Sequence, residues 1–282
     1  MKQTILLLTL ALTVAACSAA GNKKVLNSSS IANRPIDNIE INYDKLSKID
    51  VDLESLGYDG DGLALAMQQA QNSAAQTAGA GAGGAGFAGA LIGGSIAQNM
   101  AITGAIADKN RRVPILLSKM RSLNYEKMWQ ASQFAVNKQS TRPKSADLKM
   151  VLTPKVSVTA DYQSFLITVE VDVREGNKQR YRNYFYLQSD QIVDIQQGLP
   201  ALEQKPAAWI QQQLELTMQA LPQLIELDVN SGASAPAPTA IRFSNSMGNF
   251  YERGSLLAKH EKHLTFKTLR GEVKHLPFTR MQ

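Results

Sequence analysis

The chain has 282 residues, of which 44% are hydrophobic, and a formal net charge of +6. This length suffices for one large domain or two modest ones, and the apolar content excludes a wholly disordered protein. The charge is uneven, because residues 241–282 contain eight Lys or Arg and only three Glu, a net charge of +5.

The N-terminus, MKQTILLLTLALTVAACSAA, has the pattern of a secretory signal. Lys2 precedes an apolar run from Ile5 to Val14 that is too short to span a membrane, and small residues then lead to Cys17. Cys17 is the only cysteine, so no disulfide can form within the chain. The alternative is an ordinary signal peptide that is cleaved a few residues later.

The sequence VAAC, which ends at Cys17, resembles the lipobox of bacterial lipoproteins. The resemblance implies that residues 1–16 are a lipoprotein signal peptide and that Cys17 becomes the acylated first residue of the mature chain. Ser18 stands where an Asp would retain such a protein in the inner membrane. The implied localisation is therefore the outer membrane, with a lipid anchor and the protein facing the periplasm. Residues 17–35 are small and polar, which predicts a flexible tether.

Residues 36–136 are expected to form a mainly helical region. Their acidic first part, residues 36–62, predicts a short helix or strand with acidic caps. A calcium loop that uses Asp50, Asp52, Glu54 and Asp61 is the alternative, but it lacks the glycine and the final glutamate that such a loop needs. From Pro114, the sequence PILLSKMRSLNYEKMWQASQFAV predicts an amphipathic helix.

Within this region, residues 62–107 carry no charge and residues 77–107 are rich in Gly and Ala. Eight glycines between Gly79 and Gly94 would cost an isolated helix about 6–8 kcal/mol relative to alanine, which is comparable to the stability of a whole domain. A closely packed helix can tolerate this, because small residues recur at every fourth position from Thr77 to Ala105.

This segment resembles the glycine zippers of some outer-membrane lipoproteins, including the complement-resistance lipoproteins of conjugative plasmids. The resemblance implies membrane insertion or self-association through a helix face formed by Gly81, Ala85, Gly89, Gly93, Ala97 and Ala101. Residues 86–107 would span about 30 Å as a helix, the thickness of the hydrocarbon core. A helical hairpin buried within the protein is the alternative, and disorder is a third.

Residues 148–229 predict an antiparallel three-stranded meander packed with helices, which makes the fold class α+β. The clearest strand is FLITVEVDVR, residues 165–174, in which apolar residues occupy every second position. The spacing of Ile210, Leu214 and Met218 predicts a helix over residues 207–221 that covers the sheet, and Pro222 bends or restarts it.

The composition of residues 230–240 predicts a linker, and residues 241–282 predict a small basic β module. Without a disulfide this module is too small for independent stability, so it is expected to dock on the main body, on a second copy or on a partner. Its cations are candidate contacts for an anionic partner, namely Arg253, Lys259, Lys262, Lys267, Arg270 and Lys274. A solvated basic surface is the alternative.

No catalytic motif is recognisable, and the sequence predicts a protein that is not an enzyme and needs no cofactor or metal. The three histidines, His260, His263 and His275, all lie in the basic module and are expected to be solvated. A zinc site there would need further ligands from Glu261 or Glu272.

The predicted function is structural or interactive, as an accessory to an envelope or secretion assembly. Expected partners are outer-membrane lipid, a second copy or an envelope protein, and an anionic envelope polymer, but not nucleic acid. The alternative function is a periplasmic adaptor or binding lipoprotein whose Gly/Ala hairpin is buried and whose basic module holds a partner.

Overall fold

The computed structural model describes residues 31–36, 38–46, 49–52, 113–131, 136, 148–159, 162–192, 198–231, 236–245 and 248–281. The predicted signal peptide, the acylation site Cys17 and the Gly/Ala-rich segment 77–107 lie outside these residues.

Helices and strands occur together in the described residues, which confirms the α+β class at this level. The helices are α1 (Pro114–Arg121), α2 (Tyr125–Ala131), α3 (Gly198–Gln204), α4 (Ala207–Met218) and α5 (Leu221–Ser231). The strands are β1 (Ile39–Ile41), β2 (Asp50–Asp52), β3 (Leu148–Thr159), β4 (Phe165–Glu175), β5 (Lys178–Gln188), β6 (Thr239–Asn245), β7 (Gly248–Lys259), β8 (His263–Thr268), β9 (Val273–Pro277) and β10 (Arg280–Met281).

All ten described strands belong to one sheet, in the order β1-β3-β4-β5-β9-β8-β7-β6-β10, and β2 also pairs with β3. The long strands β3, β4 and β5 are antiparallel neighbours. β9 then joins β5 in parallel, with Phe185 opposite Val273 and Leu187 opposite His275. Residues 241–281 therefore continue the main sheet and are not set apart from it.

The predicted linker 230–240 and the predicted helix 207–221 differ in their bounds from the structure, in which α4 ends at Met218. α5 continues to Ser231 and β6 begins at Thr239, so the predicted linker 230–240 loses residues at both ends. Pro222 lies in the first turn of α5, where the missing amide hydrogen of proline costs nothing, and this explains why the helix restarts there.

The N-terminal part of the described chain contains strands, which is one of the two forms expected for residues 36–62 within the predicted mainly helical region. β1 pairs in parallel with one part of β3, and β2 with another part. Ile39 and Ile41 pack against the core while Glu40 between them is exposed, the alternation of a strand with one covered face. Asp50 and Asp52 occupy β2, which is extended backbone, and the rest of the alternative calcium loop lies outside the described residues.

The main core lies between the sheet and its helices. Alternate residues of β4 from Phe165 to Val173 are fully buried, and they meet Ile210, Leu214 and other apolar side chains of the helices. Each such buried side chain contributes about 1.5–3 kcal/mol relative to an exposed one. This core therefore fixes β5, whose other neighbour is β9.

A second apolar cluster lies on the C-terminal strands and contains Ile241, Phe243, Phe250, Leu264, Phe266 and Leu276. Phe266 faces away from the helices, because its neighbour Lys267 is paired with Val273 of the main core. Gly254 lets β7 approach β8 in this region, since a Cβ there would collide with the carbonyl oxygen of Lys267. The two apolar clusters thus lie on opposite faces of the sheet.

Candidate functional site

Two of the six predicted anion-contact residues are used inside the protein. Lys267 Nζ lies 2.7 Å from Asp228 Oδ1, and Lys274 Nζ lies 2.9 Å from Glu252 Oε2. Lys274 is itself only 4% exposed. We therefore remove Lys267 and Lys274 from the candidate contact surface, because their charges are already neutralised by buried or partly buried carboxylates.

The ion pair of Lys267 belongs to a buried polar network that joins helix α5 to the sheet. Asp228 Oδ2 accepts hydrogen bonds from Tyr181 Oη at 2.5 Å and from Asn183 Nδ2 at 2.7 Å. Asn183 Nδ2 also donates to the carbonyl oxygen of Gly271, at 2.8 Å. Burial, and then the charge of Asp228, raise the pKa of Tyr181 well above its usual value, so its hydroxyl remains a donor.

The second internal cation, Lys274, lies on the opposite face of the sheet. Its Nζ contacts both carboxylate oxygens of Glu252, at 3.1 and 2.9 Å, and lies 5.8 Å from the ring centre of Tyr186. Burial lowers the pKa of Lys274, while the carboxylate of Glu252 opposes that shift. Tyr186 Oη in turn donates to Glu272 Oε1 at 3.2 Å. These contacts join neighbouring strands of the sheet. Because Lys274 is buried and paired, its ammonium group is not exposed to an external anion.

The other four predicted cations are exposed and fall into two groups. Lys259 and Lys262 flank the turn between β7 and β8. Arg270 lies in the turn between β8 and β9, and Arg253 precedes Gly254, which pairs with Thr268 at that end of β8. Because six residues of strand separate the two turns, the groups lie about 20 Å apart.

The three histidines come together beside Lys259 and Lys262. The rings of His263 and His275 stack with centroids 4.6 Å apart and planes at 4° to each other, and the ring of His260 lies 6.3 Å from that of His275. His275 Nδ1 is 2.8 Å from Thr265 Oγ1, and His263 Nε2 is 3.7 Å from Asp190 Oδ1. His263 and His275 are partly buried, so the expectation of solvated histidines is wrong for these two.

The fold favours the neutral forms of His263 and His275. Burial, and to a smaller extent the neighbouring rings of His263 and His260, lower the pKa of His275 to about 3. Burial also lowers the pKa of His263, although the carboxylate of Asp190 opposes this. The stacked rings of His263 and His275 face each other and do not converge on one point. Within the described part of the chain, no group of three His, Cys, Asp or Glu is arranged to hold a metal ion.

Comparison with known proteins does not assign the chain to a family. The chain matches no family model, no curated protein and no solved structure. Its function must therefore be argued from its own residues.

The described chain begins with a segment that is fixed to the domain. Ile31 and Ile36 are buried in the main core. The amide of Asn33 donates to Asn230 Oδ1 at 2.8 Å, and Arg34 pairs with Glu175 at 3.0 Å. The predicted tether 17–35 is therefore packed against the fold from residue 31 onwards. A signal was available in the sequence, since Ile31 is out of place in a freely solvated tether and a second isoleucine, Ile36, follows directly after residue 35.

The chain leaves and re-enters this core on the two sides of residues 53–112. Ile49 lies before that stretch and Val113 after it, and both are buried in the main core. Arg121 Nη2 donates to the carbonyl oxygen of Ile49 at 3.1 Å, so the segments before and after this stretch contact each other in the same domain. Among the described helices, none has the length and apolar character needed to cross a membrane.

Proposed function

We propose that this protein is a lipid-anchored outer-membrane protein that faces the periplasm and has a structural or interaction role without catalysis. The observation that carries the proposal is the sequence VAAC at residues 14–17, since acylation of Cys17 would attach the chain to lipid. The 14 residues from Ser18 to Ile31 can extend to about 50 Å at most. The described domain, whose first described residue is the buried Ile31, would thus stay near the membrane.

The proposed association element is the Gly/Ala-rich segment 77–107, which would precede the antiparallel three-stranded meander (148–229) and the small C-terminal β module (241–282). Helices would meet at its small-residue face, which contains Gly81, Ala85, Gly89, Gly93, Ala97 and Ala101. Self-association or membrane insertion through this face would make the protein an accessory of an envelope or secretion assembly. Its partners would be outer-membrane lipid, further copies or an envelope protein.

The position of the two flanking segments supports a hairpin over a single membrane crossing. Arg121 contacts Ile49, so the chain returns to the same domain after residues 53–112. A segment that crossed a membrane once would separate these ends by the whole bilayer. The uncharged residues 62–107 are long enough for two helical arms of about 20 residues, each about 30 Å in length.

The same observation favours a second candidate, a periplasmic adaptor or binding lipoprotein. In this case the Gly/Ala hairpin packs inside the protein and only the acyl chains enter the lipid. The exposed cations of the C-terminal strands, Arg253, Lys259, Lys262 and Arg270, would then hold an anionic partner such as an envelope polymer.

The anchor is tested with the full chain and the variant Cys17→Ala. Cells supplied with a labelled fatty acid should incorporate label into the wild-type chain and fractionate it with the outer membrane. The variant should carry no label and should not be processed as a lipoprotein. Equal labelling of both chains, or no labelling of either, would refute the anchor.

The role of the Gly/Ala segment is tested with Gly89→Leu and its matched control Ala90→Leu, which adds a similar bulk outside the small-residue face. Both are examined by light scattering in a form that begins at Ser18, with and without detergent. A detergent-dependent oligomer that only Gly89→Leu disrupts would support association through the segment. A soluble monomer that Gly89→Leu destabilises would support the buried hairpin, and the association proposal would fail.

A further inference from the structure

The turn between β8 and β9 places an apolar side chain and a cation together at the surface. The amide of Gly271 donates to the carbonyl oxygen of Thr268 at 2.9 Å, which closes a four-residue turn, and Gly271 has a φ of 88° that favours glycine. The central residues, Leu269 and Arg270, are both exposed, Leu269 by 61%. We call these two residues the β8–β9 tip.

The charge beside the tip is positive. Arg253 is exposed and precedes Gly254, whose partner across the strands is Thr268, so Arg253 lies next to the tip. Glu272, the nearest acidic residue in the turn, accepts a hydrogen bond from the hydroxyl of Tyr186. The other cations nearby, Lys267 and Lys274, are neutralised by the carboxylates described above. Arg253 and Arg270 are thus the cations that the tip presents to its surroundings.

The tip lies on the side of the domain where the chain enters from its N-terminus. Asn33 bonds to Asn230 in the last turn of α5, and Asp228 in the same turn pairs with Lys267, two residues before Leu269. Asn183, which also bonds to Asp228, reaches the carbonyl oxygen of Gly271. A short run of contacts therefore connects the entry point of the chain with the tip.

We propose that the β8–β9 tip and Arg253 contact the surface of a phospholipid bilayer that contains anionic headgroups. Leu269 enters the interface between headgroups and acyl chains, and the two arginines contact phosphate groups. The inference rests on the proposed lipid anchor at Cys17, which holds the N-terminal side of the domain near the membrane. Together these contacts would orient the domain, with the histidine cluster directed away from the lipid.

The test places a probe at the tip of the full, acylated chain. Because Cys17 is the only cysteine and would be acylated, Leu269→Cys introduces a single free thiol for an environment-sensitive fluorophore. The matched control is Glu261→Cys, in the exposed turn at the other end of β8. Both proteins are reconstituted on vesicles of phosphatidylcholine alone or mixed with phosphatidylglycerol, each with a nitroxide-labelled lipid as quencher.

Quenching at position 269 in the anionic vesicles, with little at position 261, is the expected result. Arg253→Ala or Arg270→Ala should each lower the ratio of membrane-bound to free tip by about fivefold, the effect of one surface cation on binding to an anionic bilayer. Equal quenching at the two positions, or quenching that neither anionic lipid nor the arginines affect, would overturn the proposal.

Flotation of the same vesicles separates the two hypotheses. Labelled Leu269→Cys protein that floats with the vesicles, as the wild type does, while its probe remains unquenched would retain the anchor and reject the tip contact. Wild-type protein that does not float would reject the anchor, and the tip contact with it. The near-ultraviolet circular dichroism of the labelled proteins should match that of the wild type, because both substituted side chains are exposed.

Discussion

Protonation of the histidine cluster should make the fold less stable in mild acid. His275 has a pKa of about 3 in the folded protein, below its ordinary value of 6.5, because burial and the neighbouring rings disfavour its charge. The unfolded chain therefore takes up this proton first. The stabilising effect is complete above pH 6.5 and is lost progressively as the pH falls towards 3.

The size of the effect follows from these two values. At pH 5 an unfolded histidine is about 30 times more often protonated than neutral, whereas folded His275 is almost entirely neutral. The free energy of unfolding should therefore fall by about 2 kcal/mol between pH 7.5 and pH 5 on account of this residue alone. The lowered pKa of His263 adds a change in the same direction.

Urea unfolding at the two pH values measures this difference. The variant His275→Asn keeps an amide near the position of Nδ1, where it can still contact Thr265, but it has no proton to gain. It should be less stable than the wild type at pH 7.5, yet it should lose about 2 kcal/mol less between pH 7.5 and pH 5. If both proteins lost the same free energy, His275 would not be held neutral by the fold, and the reasoning would be refuted.

Three further substitutions test the contacts within the sheet. Asp228→Ala should lower the free energy of unfolding by about 3–5 kcal/mol, because it leaves Lys267 without its carboxylate, and replacing both residues with leucine should recover much of the loss. Gly254→Ala should destabilise the fold by about 1–3 kcal/mol, because the added methyl group would overlap the carbonyl oxygen of Lys267. If the variant unfolded at the same urea concentration as the wild type, β7 and β8 would not approach each other so closely at this residue. Phe266→Ala should lower the free energy of unfolding by about 3–5 kcal/mol, because this side chain is fully buried. The control Leu216→Ala, at a position 53% exposed, should change it by less than about 0.5 kcal/mol. Similar losses for the two variants would mean that the second apolar cluster is poorly packed.

Local sequence patterns predicted the parts of the fold that depend on local physics. Alternation in FLITVEVDVR predicted the strand that became β4, and the spacing of Ile210, Leu214 and Met218 predicted α4. In each case buried and exposed side chains alternate with the period of the element, two residues in a strand and 3.6 in a helix. The pattern is therefore visible without knowing which other elements pack against it. β1 was harder to predict, because its three residues give too few repeats.

The contacts that define the candidate site are distant in sequence. Lys267 and Asp228 are 39 positions apart, and nothing in the spacing of charges showed that these two would pair. The histidine cluster was closer to prediction. The turn RGE places residues 263–268 opposite residues 273–277, which brings His263 near His275. The sequence predicted a small β module over residues 241–282, but not the register that brings these two histidines together.

Only three residue pairs join β5 to β9, and they connect positions 88 residues apart in the sequence. Such a junction forms late during folding, because loop closure must be complete before the strands gain any hydrogen bonds. Until residues 273–275 are in place, β5 is an edge strand, with open backbone donors and acceptors next to Phe185 and Leu187. A chain interrupted before residue 273 would keep that edge permanently and should be prone to aggregation, even though the helix-covered half of its sheet is intact.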